Sequence, residues 1–162
     1  MSGVGSTEPP KSEGPVLPTR ERTSELPLTG GCLCGGVRYE LDQAPVLVGY
    51  CHCTRCQRRT GTAAAISAQI VPGSLRIVAG EEHVRAWAPD DGGFKKCFCG
   101  VCGGALWSAH PTDPGYVFIR LGTFDGDPGV RPQYHQFVSY AAPWEPIPED
   151  GLPRYSERRP LS

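Results

Sequence analysis

The chain has 162 residues, of which 16 are Lys or Arg and 17 are Asp or Glu, so its net charge is close to zero. Such a chain has no overall field to attract nucleic acid or an anionic membrane, and no apolar stretch approaches the roughly 18 residues that a transmembrane helix needs. The 21 Gly and 17 Pro favour short strands joined by turns over long helices. We expect a soluble, cytoplasmic protein with one folded domain and no nucleic-acid partner.

Composition divides the chain into three parts. Residues 1–27 contain five prolines among small and polar residues, with too few apolar residues for a core, so we expect a disordered tail. Residues 28–145 form the predicted domain. Residues 146–162 are rich in proline, which rules out regular structure, and we predict a strap or tail whose apolar residues, with Trp144 just before them, pack onto the domain.

Short stretches of alternating or β-branched residues recur through the domain between Gly, Pro and Asp turns, a pattern that predicts β-strands. The predicted strands are 36–41, 46–51, 62–70, 74–79, 83–87, 94–98, 105–108, 116–121 and 134–140. Only residues 54–59 favour a helix, with Thr54 in the capping position and Gly61 after its end. The sequence therefore predicts a mainly β domain with one short helix.

Four of the eight cysteines lie in two glycine-rich segments. Cys32 and Cys34 stand between glycine pairs in G-G-C-L-C-G-G, and Cys99 and Cys102 form a C-x-x-C in C-G-V-C-G-G. The glycines allow tight turns in which backbone N–H groups approach the sulfur atoms. Four thiolates complete the coordination of a structural zinc, so these residues predict a closed metal site.

Three further cysteines, Cys51, Cys53 and Cys56, lie within six residues as C-x-C-x-x-C. The side chains of Cys51 and Cys53 point to one side of the chain, whereas His52 projects to the other and ranks below them as a ligand. Three thiolates on one zinc leave a fourth position for a substrate atom. Open coordination distinguishes catalytic from structural zinc sites, so this group predicts a catalytic one.

Cys97 leaves alternatives open. It could close the second site as a fourth ligand, or point toward the first site, because Cys97 and Cys99 are two residues apart and share one face of an extended chain. A disulfide framework for all eight cysteines is a further alternative, although it is more typical of secreted chains.

The segments G-G-C-L-C-G-G-V-R-Y-E, Y-C-H-C-T-R-C-Q-R-R-T-G and F-C-G-V-C-G-G-A-L-W occur in this order, followed by His135 and the sequence Ala142-Pro143-Trp144. This pattern closely resembles the glutathione-dependent formaldehyde-activating enzyme family, which also includes centromere-protein relatives. The resemblance implies a β-tent of small antiparallel sheets around two zinc ions. It assigns the structural zinc to Cys32, Cys34, Cys99 and Cys102, and the catalytic zinc to Cys51, Cys53 and Cys56. Cys97 departs from the family pattern.

The resemblance also implies a carbon–sulfur lyase-type enzyme that acts on an adduct of glutathione, or a similar thiol, with formaldehyde or another small aldehyde. Arg55, Arg58 and Arg59 lie on and beside the predicted helix and are candidates to pair with the carboxylates of such a thiol, or form a solvated polar face. His135 is a candidate proton carrier. The alternative function is a non-catalytic zinc scaffold for protein or nucleic-acid partners.

Overall fold

A computed structural model describes residues 25–160 of the chain. Within this range there is one α-helix, α1, at Thr54–Thr60, together with three 3-10 turns at Glu81–His83, Leu121–Thr123 and Val138–Tyr140. The strands are β1 Leu28–Gly31, β2 Arg38–Leu41, β3 Leu47–Cys51, β4 Ala65–Gln69, β5 Leu75–Ala79, β6 Val84–Trp87, β7 Lys95–Cys99, β8 Ala105–Ala109, β9 Val117–Arg120, β10 His135–Gln136 and β11 Arg154–Tyr155. The predicted mainly β fold with one short helix is confirmed.

The strands form two sheets. A three-stranded antiparallel sheet has the order β1-β2-β5, and an eight-stranded sheet has the order β11-β10-β3-β4-β9-β8-β7-β6. Pairing in the larger sheet is antiparallel except at β10, which runs parallel to both β3 and β11. Tyr39 of the smaller sheet packs edge-on against Trp107 of the larger one, with ring centroids 6.4 Å apart. The hydrophobic core therefore lies between the two sheets.

Alternation along the strands of the larger sheet separates a core face from a second face. Val48, Ala68, Ile119, Trp107 and Cys97 are paired in register across β3, β4, β9, β8 and β7, and all five are buried. Their neighbours along each strand project to the opposite face, because successive side chains alternate. Seven of those neighbours line a cavity, namely Leu47, Gly49, Ser67, Lys96, Ser108, Phe118 and Arg120.

The helix begins one residue away from the predicted cap. Cys53, rather than Thr54, is the N-cap residue, and its sulfur accepts a hydrogen bond from the Cys56 N–H at 3.4 Å. Gly61 ends the helix with a φ of 68°, in the left-handed region that glycine adopts without strain, as the sequence predicts.

Several predicted strand bounds differ from the structure. The predicted strand at 134–140 is limited to two residues because Phe137, with a φ of 58°, leaves the extended region and a 3-10 turn follows. Strand β1 was not predicted, since its sequence, L-T-G-G, lacks an alternating pattern. The expectation that proline rules out regular structure after residue 145 is wrong for Arg154 and Tyr155, which pair with β10 between two prolines.

The prediction of a disordered tail at 1–27 falls, apart from residues 25–27, outside the described residues. The strap or tail predicted at 146–162 stays a prediction, and Trp144 takes little part in the contacts of this segment. Trp144 is 71% exposed, and the segment is held by β11 and by a bond from His135 to Asp150. The domain limits at 28 and 145 stay predictions. None of the helices between residues 25 and 160 has the length and apolar character needed to cross a membrane.

Candidate metal centres and cavity

The four-cysteine group consists of Cys32, Cys34, Cys99 and Cys102. Its four sulfur atoms all lie within 4.8 Å of one another, with Cys32 to Cys34 at 3.5 Å and Cys34 to Cys99 at 3.9 Å. Tetrahedral zinc with Zn–S bonds of about 2.3 Å requires sulfur atoms about 3.8 Å apart. All eight cysteines lie in the described part of the chain and are free thiols. The spacing fits a zinc ion, and no disulfide joins any of the eight cysteines.

Backbone N–H groups point at the sulfur atoms of the four-cysteine group. Val37 N donates to Cys32 Sγ at 3.2 Å and Val101 N donates to Cys99 Sγ at 3.4 Å. Hydrogen bonds from the backbone of Cys34 and then Gly104 lower the pKa of the Cys102 thiol to about 6. Such bonds stabilise the thiolate, which is the form that binds a metal.

The three-cysteine group consists of Cys51, Cys53 and Cys56. Cys51 ends β3, Cys53 caps α1 and Cys56 lies in the first helical turn, so their sulfur atoms come within 4.8 Å of one another. Hydrogen bonds from the neighbouring Cys51 and Cys56 thiols lower the pKa of Cys53. Three sulfur ligands fit a zinc ion with one position left for another atom.

Cys97 belongs to neither group of sulfur atoms in the described chain. It is 8% exposed and packs in the hydrophobic core beside its cross-strand partner Trp107. Residues two apart along a strand are separated by roughly 7 Å. Cys97 therefore does not reach the four-cysteine group, to which Cys99 belongs. Burial raises the pKa of the Cys97 thiol.

A cavity of about 420 Å³ opens beside the three-cysteine group, and we call it the main cavity because that group lines it; a second cavity has about 670 Å³. All three cysteines line the main cavity. Aromatic side chains form much of the remaining wall, namely Phe94, Tyr116, Phe118, Tyr134, Phe137 and Tyr140. The three-cysteine group therefore faces a space large enough for a small organic ligand.

A buried polar cluster of Lys96, Ser108 and Arg120 lines the same cavity. Arg120 donates to Ser67 Oγ at 2.6 Å and to Ser108 Oγ at 3.1 Å, and Lys96 Nζ lies 3.4 Å from Ser108 Oγ. Arg120 Nε is buried and has no hydrogen-bond partner. Burial lowers the pKa of the Lys96 ammonium, because water no longer stabilises its charge.

The three predicted ligand-binding arginines lie along two cavities, and of the three only Arg55 lines both. Arg55 lines the main cavity and forms an ion pair with Asp91 at 2.6 Å. Arg58 and Arg59 line only a second cavity, which includes Trp87 and Phe98. Arg59 also donates to the carbonyl oxygen of Cys97 at 2.6 Å. Of the three, Arg55 is the one that faces the three-cysteine group.

His135 is 1% exposed and does not line the main cavity. Its Nδ1 lies 2.9 Å from Nε2 of His52, its Nε2 lies 3.0 Å from Oδ2 of Asp150, and its ring stacks on Tyr50 with centroids 4.6 Å apart. The bond to Asp150 lowers the pKa of that carboxyl. His135 thus connects the C-terminal segment to the loop that carries the three-cysteine group.

Replacing His135 by Phe is expected to lower the free energy of unfolding by about 1–3 kcal/mol, because the ring can still stack on Tyr50 while buried His52 loses its partner. Urea denaturation followed by circular dichroism measures the change. A variant as stable as the wild type would contradict the connecting role of His135.

Sequence reasoning missed the buried polar cluster. The available signal was a basic residue at an alternate position of an otherwise apolar strand, as with Arg120 after Ile119 in V-F-I-R. Alternation places Arg120 on the face opposite the core, but the register that brings Lys96 opposite Ser108 is not written in either strand alone.

Two comparisons with known proteins agree with this description. The fold is similar to the crystal structure of a Rhodobacter sphaeroides protein from a structural genomics project, at 22% identity and a TM-score of 0.53, over 79% of this chain and 99% of that one. Residues 27–140, more than half of the chain, match the family model described as glutathione-dependent formaldehyde-activating enzyme. The chain belongs to the glutathione-dependent formaldehyde-activating enzyme family.

Proposed function

We propose that the protein is a zinc-dependent carbon–sulfur lyase-type enzyme. Its substrate is the adduct of a thiol, glutathione or a similar molecule, with formaldehyde or another small aldehyde. The observation that carries the proposal is that the three-cysteine group opens into the main cavity, where a ligand can reach it. Membership of the family supports the thiol and the aldehyde.

The two cysteine groups have different roles in this proposal. Cys32, Cys34, Cys99 and Cys102 would hold a structural zinc, because four thiolates leave no position for a substrate. Cys51, Cys53 and Cys56 would hold the catalytic zinc. When bound there, the metal supplies an open coordination position at which a thiol is held deprotonated at neutral pH.

The reaction is an addition and its reverse. In synthesis, the thiol releases its proton, the ligand sulfur forms a bond to the carbonyl carbon, the π electron pair moves to the carbonyl oxygen, and that oxygen takes up a proton, so no net proton is consumed. In the lyase direction the carbon–sulfur bond breaks and the proton leaves the hydroxyl group. No oxidant or reductant is consumed, so the protein needs only to position the thiol and the aldehyde.

The chain's own residues supply that positioning. The aromatic wall of the main cavity excludes water from the reacting atoms and packs against the carbon skeleton of the ligand. Arg55 lies beside the three-cysteine group and is suited to bind a carboxylate of the thiol in exchange for Asp91. Arg58 and Arg59 lie at the second cavity. Because His135 does not line the main cavity, we assign it the role of positioning His52, between Cys51 and Cys53.

Exchange NMR tests the proposal. Thiols add to formaldehyde without a catalyst, so the rate of interconversion of glutathione, formaldehyde and their S-hydroxymethyl adduct is measured with and without the zinc-loaded protein. We expect the protein to accelerate interconversion in both directions. If the zinc-loaded protein leaves both rates unchanged and binds no glutathione by calorimetry, the proposed function is wrong.

A further inference from the structure

The buried polar cluster has more positive charge than the neighbouring residues neutralise. Lys96 and Arg120 are 8% and 7% exposed, and their hydrogen-bond partners are serine hydroxyls, which are neutral. None of the ion pairs between residues 25 and 160 gives either side chain a carboxylate partner. Burying a charge without a counter-charge is costly, so a site that retains two such charges has a reason to do so.

The three-cysteine group does not by itself provide the balance. Three thiolates around one divalent cation have a net charge of minus one, whereas Arg120 and the protonated form of Lys96 together contribute plus two. The cluster therefore keeps an excess of positive charge inside the main cavity even when the metal is bound. A ligand with its own negative group would neutralise it.

The donor geometry specifies the kind of negative group. The Nε atom of Arg120 is buried and has no hydrogen-bond partner, and Arg120 is one of the residues that line the main cavity. A carboxylate has two oxygen atoms that accept bonds from an arginine fork, and the Lys96 ammonium next to it adds a second charge. These groups form a recognition surface for a carboxylate.

We propose that Lys96, Ser108 and Arg120 bind a carboxylate of the ligand whose sulfur is held at the three-cysteine group. The inference rests on the proposed function for the thiol and adds the place where a carboxylate of the adduct binds, inside the main cavity. That carboxylate belongs either to the thiol or to the carbonyl compound, as in an aldehyde acid.

The alternative is that Lys96 and Arg120 only neutralise the cysteine thiolates. Two thiols with the same number of carbon atoms, one with a carboxylate and one without, distinguish this alternative from the inference. Calorimetry of the zinc-loaded full chain measures the affinity for mercaptoacetate and for mercaptoethanol. Charge-assisted hydrogen bonds to a buried pair of cations should make mercaptoacetate bind about tenfold or more tightly. If the cations serve only the cysteines, the two thiols bind alike.

The matched variants are Lys96→Met and Lys95→Met. The two lysines are neighbours on β7, but Lys96 is buried at the main cavity and Lys95 is exposed. We expect Lys96→Met to remove the preference for mercaptoacetate and Lys95→Met to keep it. Circular dichroism monitors folding, and the comparison of thiols on the wild-type protein stands without any variant.

A second arm identifies the source of the carboxylate. Mercaptoethanol is kept as the thiol, and exchange NMR compares adduct formation with glyoxylate and with formaldehyde. Acceleration that favours glyoxylate and is lost in Lys96→Met assigns the carboxylate to the carbonyl compound, while a preference among the thiols alone assigns it to the thiol. Thiol binding with no preference in either arm overturns the inference and leaves the proposed function standing. Failure of every thiol to bind overturns both.

Discussion

Replacement of Cys99 by Ser is expected to unfold the protein. Cys99 is fully buried at the end of β7 and belongs to the four-cysteine group. That group joins the loop after β1, in the smaller sheet, to β7 in the larger one. The binding free energy of a structural zinc in small domains is about 10–16 kcal/mol, and it counts as folding free energy. Whole domains are stable by about 5–15 kcal/mol, so a weakened site leaves little net stability.

Thermal unfolding followed by circular dichroism, with zinc content measured on the same samples, checks this result. We expect the Cys99→Ser variant to show no cooperative transition and to bind less zinc. Cys97→Ala is the matched control, because it removes a cysteine from the same strand that belongs to neither metal-binding group. It should keep the zinc content of the wild type. A cooperative transition in Cys99→Ser near the wild-type temperature would contradict the structural role, and loss of zinc in Cys97→Ala would identify Cys97 as a ligand.

Replacement of Cys53 by Ser is expected to leave the fold intact but to weaken the binding of the thiol. Cys53 caps helix α1 by accepting a hydrogen bond from the Cys56 N–H, and serine is one of the most favourable N-cap residues. The fold should survive with a loss of about 1 kcal/mol, or about 2–4 °C in Tm. The metal would lose one of its three sulfur ligands, so the affinity for glutathione should fall by more than about a hundredfold. Mutation of residues that only hydrogen-bond to metal ligands already lowers metal affinity or activity by about 10–100-fold.

Calorimetry with glutathione and thermal unfolding, run on one preparation of Cys53→Ser, measure both quantities. Cys99→Ser carries the same chemical change in the other group and serves as the comparison. If the Cys53 and Cys99 variants unfold equally, the division into a structural and an open site is wrong. If Cys53→Ser binds glutathione as the wild type does, the three-cysteine group is not the thiol site.

Local patterns in the sequence predict the cysteine groups and the helix. Cys51, Cys53 and Cys56 lie so close in the chain that one strand end and one helical turn bring their sulfur atoms together. Cys32 and Cys34 likewise need only a glycine-rich turn. Their approach to Cys99 and Cys102 depends on the packing of two sheets, which spacing alone does not determine, and it was predicted because four thiolates complete one zinc site.

Long-range register accounts for most of what the sequence leaves open. Lys96 lies opposite Ser108, and Arg120 opposite Ser67, only because β7, β8, β9 and β4 pair as they do. Read alone, the sequences of β7 and β9 contain basic residues but do not indicate their partners. The two-residue strands β10 and β11 are too short for a periodic signal, and their pairing follows from the docking of the C-terminal segment.

Zinc content and fold, measured together as a chelator is added, test the central claim most directly. The claim is that one metal centre is closed and supports the fold while the other is open to a thiol ligand. It predicts two zinc ions per full-length chain, of which one is removed by moderate chelator without loss of the circular dichroism spectrum and is protected by glutathione. Two zinc ions that leave only together, with unfolding, would contradict it.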